Sequence, residues 1–413
     1  MKPGSRRVVV TGMGAVCGLG HNVRAVWTAA RQGKGAIAPR TFDAGPNGPP
    51  PHSTPVALVD GDVIGPLESA LGRRIGASLD PFAVYALMAC HEALAQAELI
   101  GAEVLSNRTA VILGHGFAGI HTLEAAYERF YGQKTPRVHP LSVPRVMVSA
   151  PASAVAMQFG VRGPVFAVSS ACSSSGHAIA QGAALIAAGR VEAAVVGGSE
   201  AIATPGCLRA WEGLQAMSPT TCRPFSAGRD GMIIGEGGGA VVLESLEHAQ
   251  ARGASIIAEL AGVGMSSDAF HWTQPTLEGA VSAMSQACDQ AGVRDGRRML
   301  ISSHGTGTPL NDRNEAAAIH ALFAGHAKDH PVIATKSAHG HLIGAATIVQ
   351  GVIGLMALSE HTAPPILNWL GEDPECDLDL VLEKSRPMEA QTLLLNSFAF
   401  GGLNTTLVFT RQE

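Results

Sequence analysis

Several common signatures are missing from this sequence of 413 residues, and their absence narrows its function. Charged residues make up only 15% of the chain and the net charge is −5, so no basic excess indicates nucleic acid or an anionic membrane surface. The seven cysteines are scattered and form no CxxC pair, which argues against a disulfide framework or a cysteine zinc site. The N-terminus lacks the long apolar core of a secretory signal. We therefore expect a cytoplasmic globular protein.

The glycine-rich segment after the first predicted strand lacks the spacing of a nucleotide-binding loop. In the dinucleotide pattern GxGxxG the third glycine follows the second after two residues, but here Gly14 is followed by Gly18. No GxxxxGK[ST] pattern occurs, and no tyrosine is followed four residues later by lysine. We interpret the segment as a tight turn in which glycine lets backbone pack on backbone.

Two stretches rich in small residues, 163–189 and 337–359, are largely apolar, but neither is predicted to span a membrane. Polar side chains interrupt both of them, and few apolar residues run unbroken towards the ~20 that a bilayer needs. Buried elements of a large core explain both stretches better.

Strands and helices alternate along the chain, which predicts an α/β fold. The second half repeats the pattern of the first, in which a strand is followed by a turn and then by a helix of small residues. This similarity of pattern predicts two related halves, residues 1–250 and 251–413.

The central stretch 163–189 contains no Asp, Glu, Lys or Arg. Residues 166–170 are typical of a buried strand and 173–188 of a buried helix, with Cys172 at the turn between them. Unpaired N–H groups and partial positive charge at a helix start favour the thiolate, so this turn can present a nucleophile. The alternative is an inert buried cysteine, since cysteine is among the most buried residue types.

Three segments of the second half follow predicted strands and carry polar side chains. They are SHGTGTP at 303–309, TKSAHGH at 335–341 and NSFAFGG at 396–402. Ligands collect at strand ends on one side of an α/β sheet, so these segments can converge on Cys172. A zinc site built from His304, His339 and His341 is less favoured, because no convincing carboxylate or cysteine ligand accompanies them.

Taken together, these motifs resemble those of the elongating β-ketoacyl-acyl-carrier-protein synthases, over essentially the whole chain. SSACSSSGHAIA resembles their nucleophile motif, SSHGTGTPLNDRNE and ATKSAHGHLIGAA their two histidine motifs, and NSFAFGGLN their C-terminal glycine turn. CRPFSAGR and ASIIAELAGVGMSSDAFH are most similar to the nodulation-protein-E-like subgroup, alongside type II polyketide ketosynthases.

The resemblance implies a duplicated thiolase fold in five layers, α-β-α-β-α, that is usually dimeric. Cys172 would take an acyl group from acyl carrier protein, with backbone N–H groups of Cys172 and Phe400 as the oxyanion hole. His304 and His341 would donate hydrogen bonds to the thioester carbonyl of malonyl carrier protein. Loss of CO2 would leave an enolate that attacks the acyl group, with no metal or redox cofactor.

The resemblance also implies roles for residues around this site. Lys336 would tune the two histidines, and Phe400 would act as a gate. The remaining implied residues are Phe117, Trp211 and a subunit-crossing Leu141 in the acyl pocket, Asp312, Glu315, Gln350 and Asn404 in support, and Arg73, Arg74, Lys134 and Arg137 for carrier-protein binding.

Three departures from the family pattern bear on function. His339 stands where threonine is usual, and Gln350 stands where glutamate is usual, which removes a negative partner for Lys336. Phe117 replaces an isoleucine or a smaller residue, which predicts a preference for short, or flat unsaturated, acyl groups.

Two alternatives stay open at this point, and two others are disfavoured. The chain can be the catalytic member of a heterodimer with a chain-length-factor-like partner, or a non-catalytic partner, although such partners usually lack the nucleophile. A thiolase is disfavoured, because thiolases use a second cysteine near the C-terminus, which NSFAFGG lacks. An initiating synthase is disfavoured, because those enzymes use Cys-His-Asn, whereas the segment from Lys336 to His341 fits a Cys-His-His site.

Overall fold

The structure is a computed structural model that describes residues 6–46, 48–72, 74–75, 78–293 and 298–411. The strands in these residues are β1 Val8–Cys17, β2 Ala38–Phe42, β3 His52–Val56, β4 Thr109–Gly114, β5 Val165–Val168, β6 Ala193–Glu200, β7 Gly237–Ser245, β8 Ala258–Ser267, β9 Met299–Ser302, β10 Pro331–Ile333, β11 Thr362–Ala363, β12 Asp379–Leu380, β13 Arg386–Pro387, β14 Thr392–Ala399 and β15 Leu403–Thr410. The α-helices are α1 Val23–Arg31, α2 Ile64–Leu71, α3 Pro81–Gln96, α4 Ile120–Tyr127, α5 Ser142–Val146, α6 Ala150–Phe159, α7 Ser174–Ala187, α8 Pro205–Gly213, α9 Leu246–Ala251, α10 Leu277–Ala291, α11 Pro309–Phe323, α12 Lys336–His339 and α13 Ala346–Ser359.

Most of the strands form an 11-stranded sheet in the order β12-β10-β9-β14-β15-β8-β1-β7-β6-β4-β5. Its two parts meet at a short antiparallel contact in which Val9 and Val10 of β1 pair with Glu259 and Ala258 of β8. The other strands pair in two small antiparallel sheets, β2 with β3 and β11 with β13.

The two parts of the sheet repeat one topology. In the first part, β1 pairs antiparallel with β7 and β7 with β6, and then β6, β4 and β5 run parallel. In the second part, β8 pairs antiparallel with β15 and β15 with β14, and then β14, β9 and β10 run parallel. Each part therefore has the same order of strands across the sheet. Counting only the strands of the large sheet, the first strand in sequence is followed by the last, the next-to-last, the second and the third. The relative directions of these strands also match.

Helices cover both faces of each part of the sheet. In β6, Val196 belongs to a core shared with α7 and α13, whereas the preceding residue, Val195, packs with α3 and α6. In β14, Leu395 belongs to that central core and Leu394 packs with α10 and α11. Because side chains alternate between the faces of a strand, α7 and α13 lie between the two parts. This is the five-layered α-β-α-β-α arrangement that the resemblance implies.

The glycine-rich segment predicted to be a tight turn is instead part of a strand, since β1 continues to Cys17. A Cβ on Gly12 would lie 2.1 Å from the Ala93 carbonyl oxygen of α3, and a Cβ on Gly14 only 1.9 Å from that of Ala89. The glycines let this strand lie directly on the backbone of the helix. The predicted close approach of backbones is correct, but the turn is wrong.

Candidate active site

Cys172 lies in the sharp turn between β5 and α7. Ala171 adopts a left-handed conformation with φ of 51°, which is strained for a non-glycine residue. The Ser174 hydroxyl stabilises it, donating to the Ala171 carbonyl at 2.6 Å and accepting from the Ser170 N–H at 2.9 Å. The turn thus presents the thiol just before the first turn of α7.

Hydroxyl groups of the second half hold this turn from the other side. Ser397 of β14 and Thr347 of α13 both donate to the Cys172 carbonyl, at 3.1 and 3.2 Å. The Ser173 hydroxyl donates in turn to the Leu403 carbonyl at 2.7 Å. The nucleophile's turn is therefore anchored to strands and a helix more than 170 residues away in sequence.

Three side chains predicted to share a site do lie together. The Nε2 atom of His341 is 3.1 Å from the Cys172 sulfur, and the rings of His304 and His341 have centroids 5.5 Å apart. All three are buried, and one ligand-type atom of each lies within 4.8 Å of the others. They line a cavity of about 340 Å³.

The hydrogen bonds to the two rings assign their protons. The Ile343 N–H points at Nδ1 of His341 at 3.1 Å, so that nitrogen accepts and the neutral ring carries its proton on Nε2. The Lys336 ammonium lies 3.3 Å from Nδ1 of His304, with the same consequence for that ring. Burial first, and then Lys336, holds the pKa of both imidazoles well below the usual value. Two neutral rings therefore offer Nε2–H donors beside the thiol.

Lys336 is a fully buried cation beside these rings. Its ammonium donates to the His304 carbonyl and to Oε1 of Gln350 at 2.5 Å, and Gln350 in turn donates to the Ser303 carbonyl. Burial lowers the pKa of Lys336 to about 8, against the attraction of Cys172 and Glu315. An amide oxygen thus occupies the place of a carboxylate partner.

Burial decides the state of the nucleophile as well. It raises the pKa of Cys172 to about 11, although Lys336 and the backbone N–H groups of Phe400 and Cys172 oppose it. Burial here outweighs the preference of the helix start for the thiolate, because Cys172 is only 5% exposed. Cys172 rests as a thiol at neutral pH.

Phe400 closes one side of the cavity at the end of β14. Gly401 and Gly402 follow it with φ of 81° and 70°, which glycine adopts without strain. Its ring stacks on Trp211 with centroids 6.4 Å apart, and Trp211 contacts Phe117 at 5.9 Å. Trp211 and Phe400 line the cavity itself, whereas Phe117 packs behind Trp211 in the same apolar cluster.

Two acidic residues predicted to support the site bind its backbone. Glu315 accepts from the N–H groups of His304 and Gly305 at 2.8 and 2.9 Å, and burial raises its pKa. Asp312 accepts from the Gly307 N–H at 3.2 Å and lies 3.9 Å from Arg229. Both carboxylates thus hold the loop that carries His304.

Other predicted residues lie away from this cluster. Asn404 donates to Asp268 at 2.7 Å and contacts neither Cys172 nor the histidines among the described residues, so it supports a neighbouring loop instead. His339 pairs with Thr335 at 2.9 Å. Among the described residues, the atoms that could ligate a metal cluster on Cys172, His304 and His341, and His339 is not one of that group. Leu141 and the predicted carrier-binding residues Arg74, Lys134 and Arg137 are exposed, and Arg73 lies outside the described residues.

Sequence reasoning missed Glu200, the last residue of β6. Its carboxylate is fully buried and accepts from the N–H groups of Gly116, Phe117 and Gly344 at 2.8, 3.2 and 3.0 Å. The available signal was a single acid at the end of an otherwise uncharged strand.

Two family models match this chain one after the other. "Beta-ketoacyl synthase, N-terminal domain" matches residues 5–249, and "Beta-ketoacyl synthase, C-terminal domain" matches residues 257–369. The chain belongs to the β-ketoacyl synthase family. The prediction of that family, of its fold and of its enzyme class is thereby confirmed.

Relatives of known sequence span this ketosynthase almost completely. It is 41% identical over 406 residues to "Nodulation protein E" of Rhizobium meliloti (strain 1021), covering 98% of this chain and 99% of the relative. It is 34% identical over 418 residues to "3-oxoacyl-[acyl-carrier-protein] synthase 2" of Staphylococcus aureus (strain COL), covering 99% of each.

Solved structures agree with this ketosynthase over the same length. "The ishigamide ketosynthase/chain length factor" superposes with a TM-score of 0.91 at 29% identity, covering 99% of this chain and all of the other. A type II polyketide ketosynthase in complex with its acyl-carrier protein has a TM-score of 0.87 at 27% identity, covering 99% and 100%. Decarboxylative Claisen condensation, in fatty acid or polyketide synthesis, is thus the chemistry of the family to which this chain belongs. Among the described residues, no helix has the length and apolar character to cross a membrane.

Proposed function

We propose that Cys172 is the nucleophile of this ketosynthase and that His304 and His341 donate hydrogen bonds to the malonyl thioester. The observation that carries the proposal is the 3.1 Å approach of the His341 Nε2 to the Cys172 sulfur. A non-catalytic partner has no use for a buried thiol beside two neutral Nε2–H donors.

The first step transfers an acyl group from acyl carrier protein to Cys172. The Cys172 sulfur attacks the thioester carbonyl, and the resulting oxyanion accepts from the N–H groups of Cys172 and Phe400. Both groups interact with the Cys172 sulfur, which supports their place next to the reacting carbon. The intermediate collapses and expels the carrier thiolate, which takes the proton that left the thiol. The step therefore leaves no net charge in the site. This suits Cys172, because burial raises the pKa of its thiol and disfavours the charged thiolate.

The second step uses the two histidines. The malonyl thioester carbonyl accepts from Nε2–H of His304 and of His341, and the bond to the carboxylate breaks with loss of CO2. Its electron pair forms an enolate that both donors stabilise, and the enolate carbon attacks the acyl carbonyl on Cys172. The Cys172 thiolate leaves and is protonated from solvent, and the product is longer by two carbons. The depressed pKa of both rings supports donation by neutral imidazoles rather than by acids.

We assign electrostatic support of this step to Lys336. Its ammonium contacts Nδ1 of His304 and is held by Gln350, which supports a role in keeping the ring proton on Nε2. In His341 the Ile343 backbone N–H keeps the ring proton on Nε2 instead.

The acyl pocket is proposed to take short, or flat unsaturated, chains. The contact of Phe117 with Trp211, and of Trp211 with Phe400, supports a narrow pocket walled by aromatic rings. Phe400 is the proposed gate, because the two glycines after it allow its backbone to move. Leu141 is proposed to reach the pocket of a partner subunit.

We propose a dimer, with a second copy or a ketosynthase-like chain across the exposed edge of β5. Exposed apolar side chains at that edge support this: Phe166 on β5 itself, and Met157 on α6, which packs against β5. The neighbour named a ketosynthase/chain length factor keeps a heterodimer open.

Acyl- and malonyl-loaded carrier proteins are the proposed substrates, steered by the basic residues Arg73, Arg74, Lys134 and Arg137. A neighbour solved in complex with its acyl-carrier protein supports this partner. A cytoplasmic location, where a reduced Cys172 thiol persists, is part of the same proposal. We also propose that the chain divides into related halves near residue 250, between β7 and β8.

Mass spectrometry of the intact protein tests the central proposal. Acyl carrier protein should leave an acyl adduct on Cys172, and malonyl carrier protein should then convert it to an extended product. Cys172→Ser, which keeps the shape of the turn, is the control and should carry no thioester. A wild-type protein that takes no acyl group from any offered carrier would instead support the non-catalytic partner.

A further inference from the structure

Glu200 joins two loops, one that follows β4 and one that follows His341. Its Oε2 atom accepts from Gly116 at 2.8 Å and from Gly344 at 3.0 Å, and its Oε1 atom accepts from Phe117 at 3.2 Å. Gly116 and Phe117 follow β4 and lead to the aromatic wall of the acyl pocket. Gly344 lies three residues after His341.

The two loops are in backbone contact at this point. A Cβ on Gly344 would lie 2.3 Å from the Gly116 nitrogen, and a Cβ on Gly116 would lie 2.5 Å from Cγ2 of Ile343. The Gly116 and Gly344 N–H groups both donate to one atom, Oε2 of Glu200, so a single buried oxygen satisfies the two buried donors. In the described part of the chain no Lys, Arg or His forms an ion pair with this carboxylate, so its partners are these backbone groups.

Ile343, the residue before Gly344, explains why the bond to Gly344 matters for the chemistry. Ile343 has φ of 45°, an unusual and strained conformation for a β-branched residue. In that conformation its N–H points at Nδ1 of His341 and keeps the ring proton on Nε2. The strained residue is held on its C-terminal side by the Gly344 N–H on Glu200.

We propose that Glu200 is a positioning residue for His341. By fixing the Gly344 N–H it holds Ile343 in the left-handed conformation, and this keeps the His341 Nε2–H aimed at the reacting thioester. This inference rests on the proposed function for its kinetic consequence, but its effect on the His341 ring is independent of that function.

A pair of variants of similar volume separates the acceptor from the packing. Glu200→Gln keeps one side-chain oxygen, which can occupy the Oε2 position and retain the bonds to Gly116 and Gly344. Glu200→Met fills the same space with no strong acceptor. Glu200→Asp, a shorter acid, serves if the methionine variant does not fold. Glu244→Gln is the control, since Glu244 is an equally buried glutamate that binds Arg252 at the far end of β7.

Two partial reactions are measured on each folded variant: acylation of Cys172, and release of CO2 from malonyl carrier protein. We expect Glu200→Met, or Glu200→Asp, to slow CO2 release at least about tenfold more than acylation, because His341 acts only in the decarboxylation. Glu200→Gln should stay within about threefold of wild type in the ratio of the two rates. Glu244→Gln should lower the Tm and leave that ratio unchanged.

NMR of protein with ¹⁵N-labelled histidine reads the ring directly, with His341 assigned by loss of its signals in His341→Gln. We expect the Nε2–H tautomer in wild type and in Glu200→Gln, and a mixture of tautomers in Glu200→Met or Glu200→Asp. An unchanged tautomer with both partial rates falling equally would overturn the proposal and leave Glu200 a structural residue. A wild-type protein inactive in both reactions would count against the proposed function, and the tautomer would still decide the role of Glu200.

Discussion

The Nε2 atom of His341 lies 3.1 Å from the sulfur of Cys172, across 169 positions of sequence. The ring's other nitrogen accepts from the Ile343 backbone, so the atom that faces the sulfur carries the proton. That relationship supports the separate roles that we propose for the two side chains: the sulfur forms the covalent bond, and the imidazole donates to an oxygen.

Replacing the nucleophile should uncouple the two halves of the reaction. Cys172→Ala removes the sulfur and leaves both Nε2–H donors, so we expect no acyl adduct and a fall in condensation of about three orders of magnitude or more. Release of CO2 from malonyl carrier protein should remain within about tenfold of wild type. Equal loss of both activities would contradict the separation of roles.

Replacing His341 should have the opposite effect. His341→Ala removes one of two donors to the developing enolate, and we expect CO2 release to fall by about 10²–10³. Acylation of Cys172, measured by intact mass, should proceed at a rate within about tenfold of wild type, because its oxyanion is held by backbone N–H groups. A variant that no longer acylates would instead make His341 the base for the thiol.

The amide at position 350 should set the alkaline limb of the pH–rate profile. Lys336 has its pKa lowered to about 8, so its charge is lost as the pH rises through that value. Gln350→Glu places an anion on the ammonium, which favours the charged form, and should move the falling limb of kcat/KM up by about one pH unit. The control Gln286→Glu adds the same charge on the exposed face of α10. Superimposable profiles for wild type and Gln350→Glu would show that Lys336 does not control the rate.

The ring of Phe117 should limit the acyl chain. Phe117→Ile removes the ring that packs on Trp211, and we expect loading of long saturated chains to improve about tenfold relative to short ones. The measurement is acylation of Cys172 across a series of chain lengths. Phe159→Ile, on α6, is the matched control away from the cavity. An unchanged chain-length profile would mean that Phe117 only fills the core.

Buried neutral histidines should make the fold sensitive to acid. Burial lowers the pKa of His339 to about 3, so this ring stays neutral when folded and takes up a proton on unfolding below its ordinary value of 6.5. The unfolded state then binds more protons, and stability falls as the pH drops from about 6.5 towards 3. His339→Thr should make the free energy of unfolding less pH-dependent by about 1.4 kcal/mol per pH unit between about pH 4 and 6.

Urea unfolding at a series of pH values measures that slope. His326→Thr removes an exposed histidine and is the control. Parallel curves for wild type and His339→Thr would mean that His339 is already protonated in the fold.

The alternation of strands and helices, the start of α3, the end of α10 and the local motifs were readable in advance, whereas α4, α5 and α6 were not. Asp80 and Pro81 start α3, with the Asp80 side chain accepting from the Phe82 N–H, and Gly292 ends α10 with φ of 66°. Such signals lie within a few residues of the feature they predict. The strand over residues 12–17 was not readable, because its glycines are explained by the backbone of α3, about 80 residues away.

The sequence by itself determined which atoms can react: one thiol in a turn before a small-residue helix, and two imidazoles at the ends of strands. Only the tertiary structure decided the state of those atoms. The Cys172 pKa follows from how completely the thiol is removed from water, and the ring protons follow from Ile343 and Lys336. Protonation depends on burial and on neighbours within a few ångströms, and folding brings those neighbours together from distant parts of the chain.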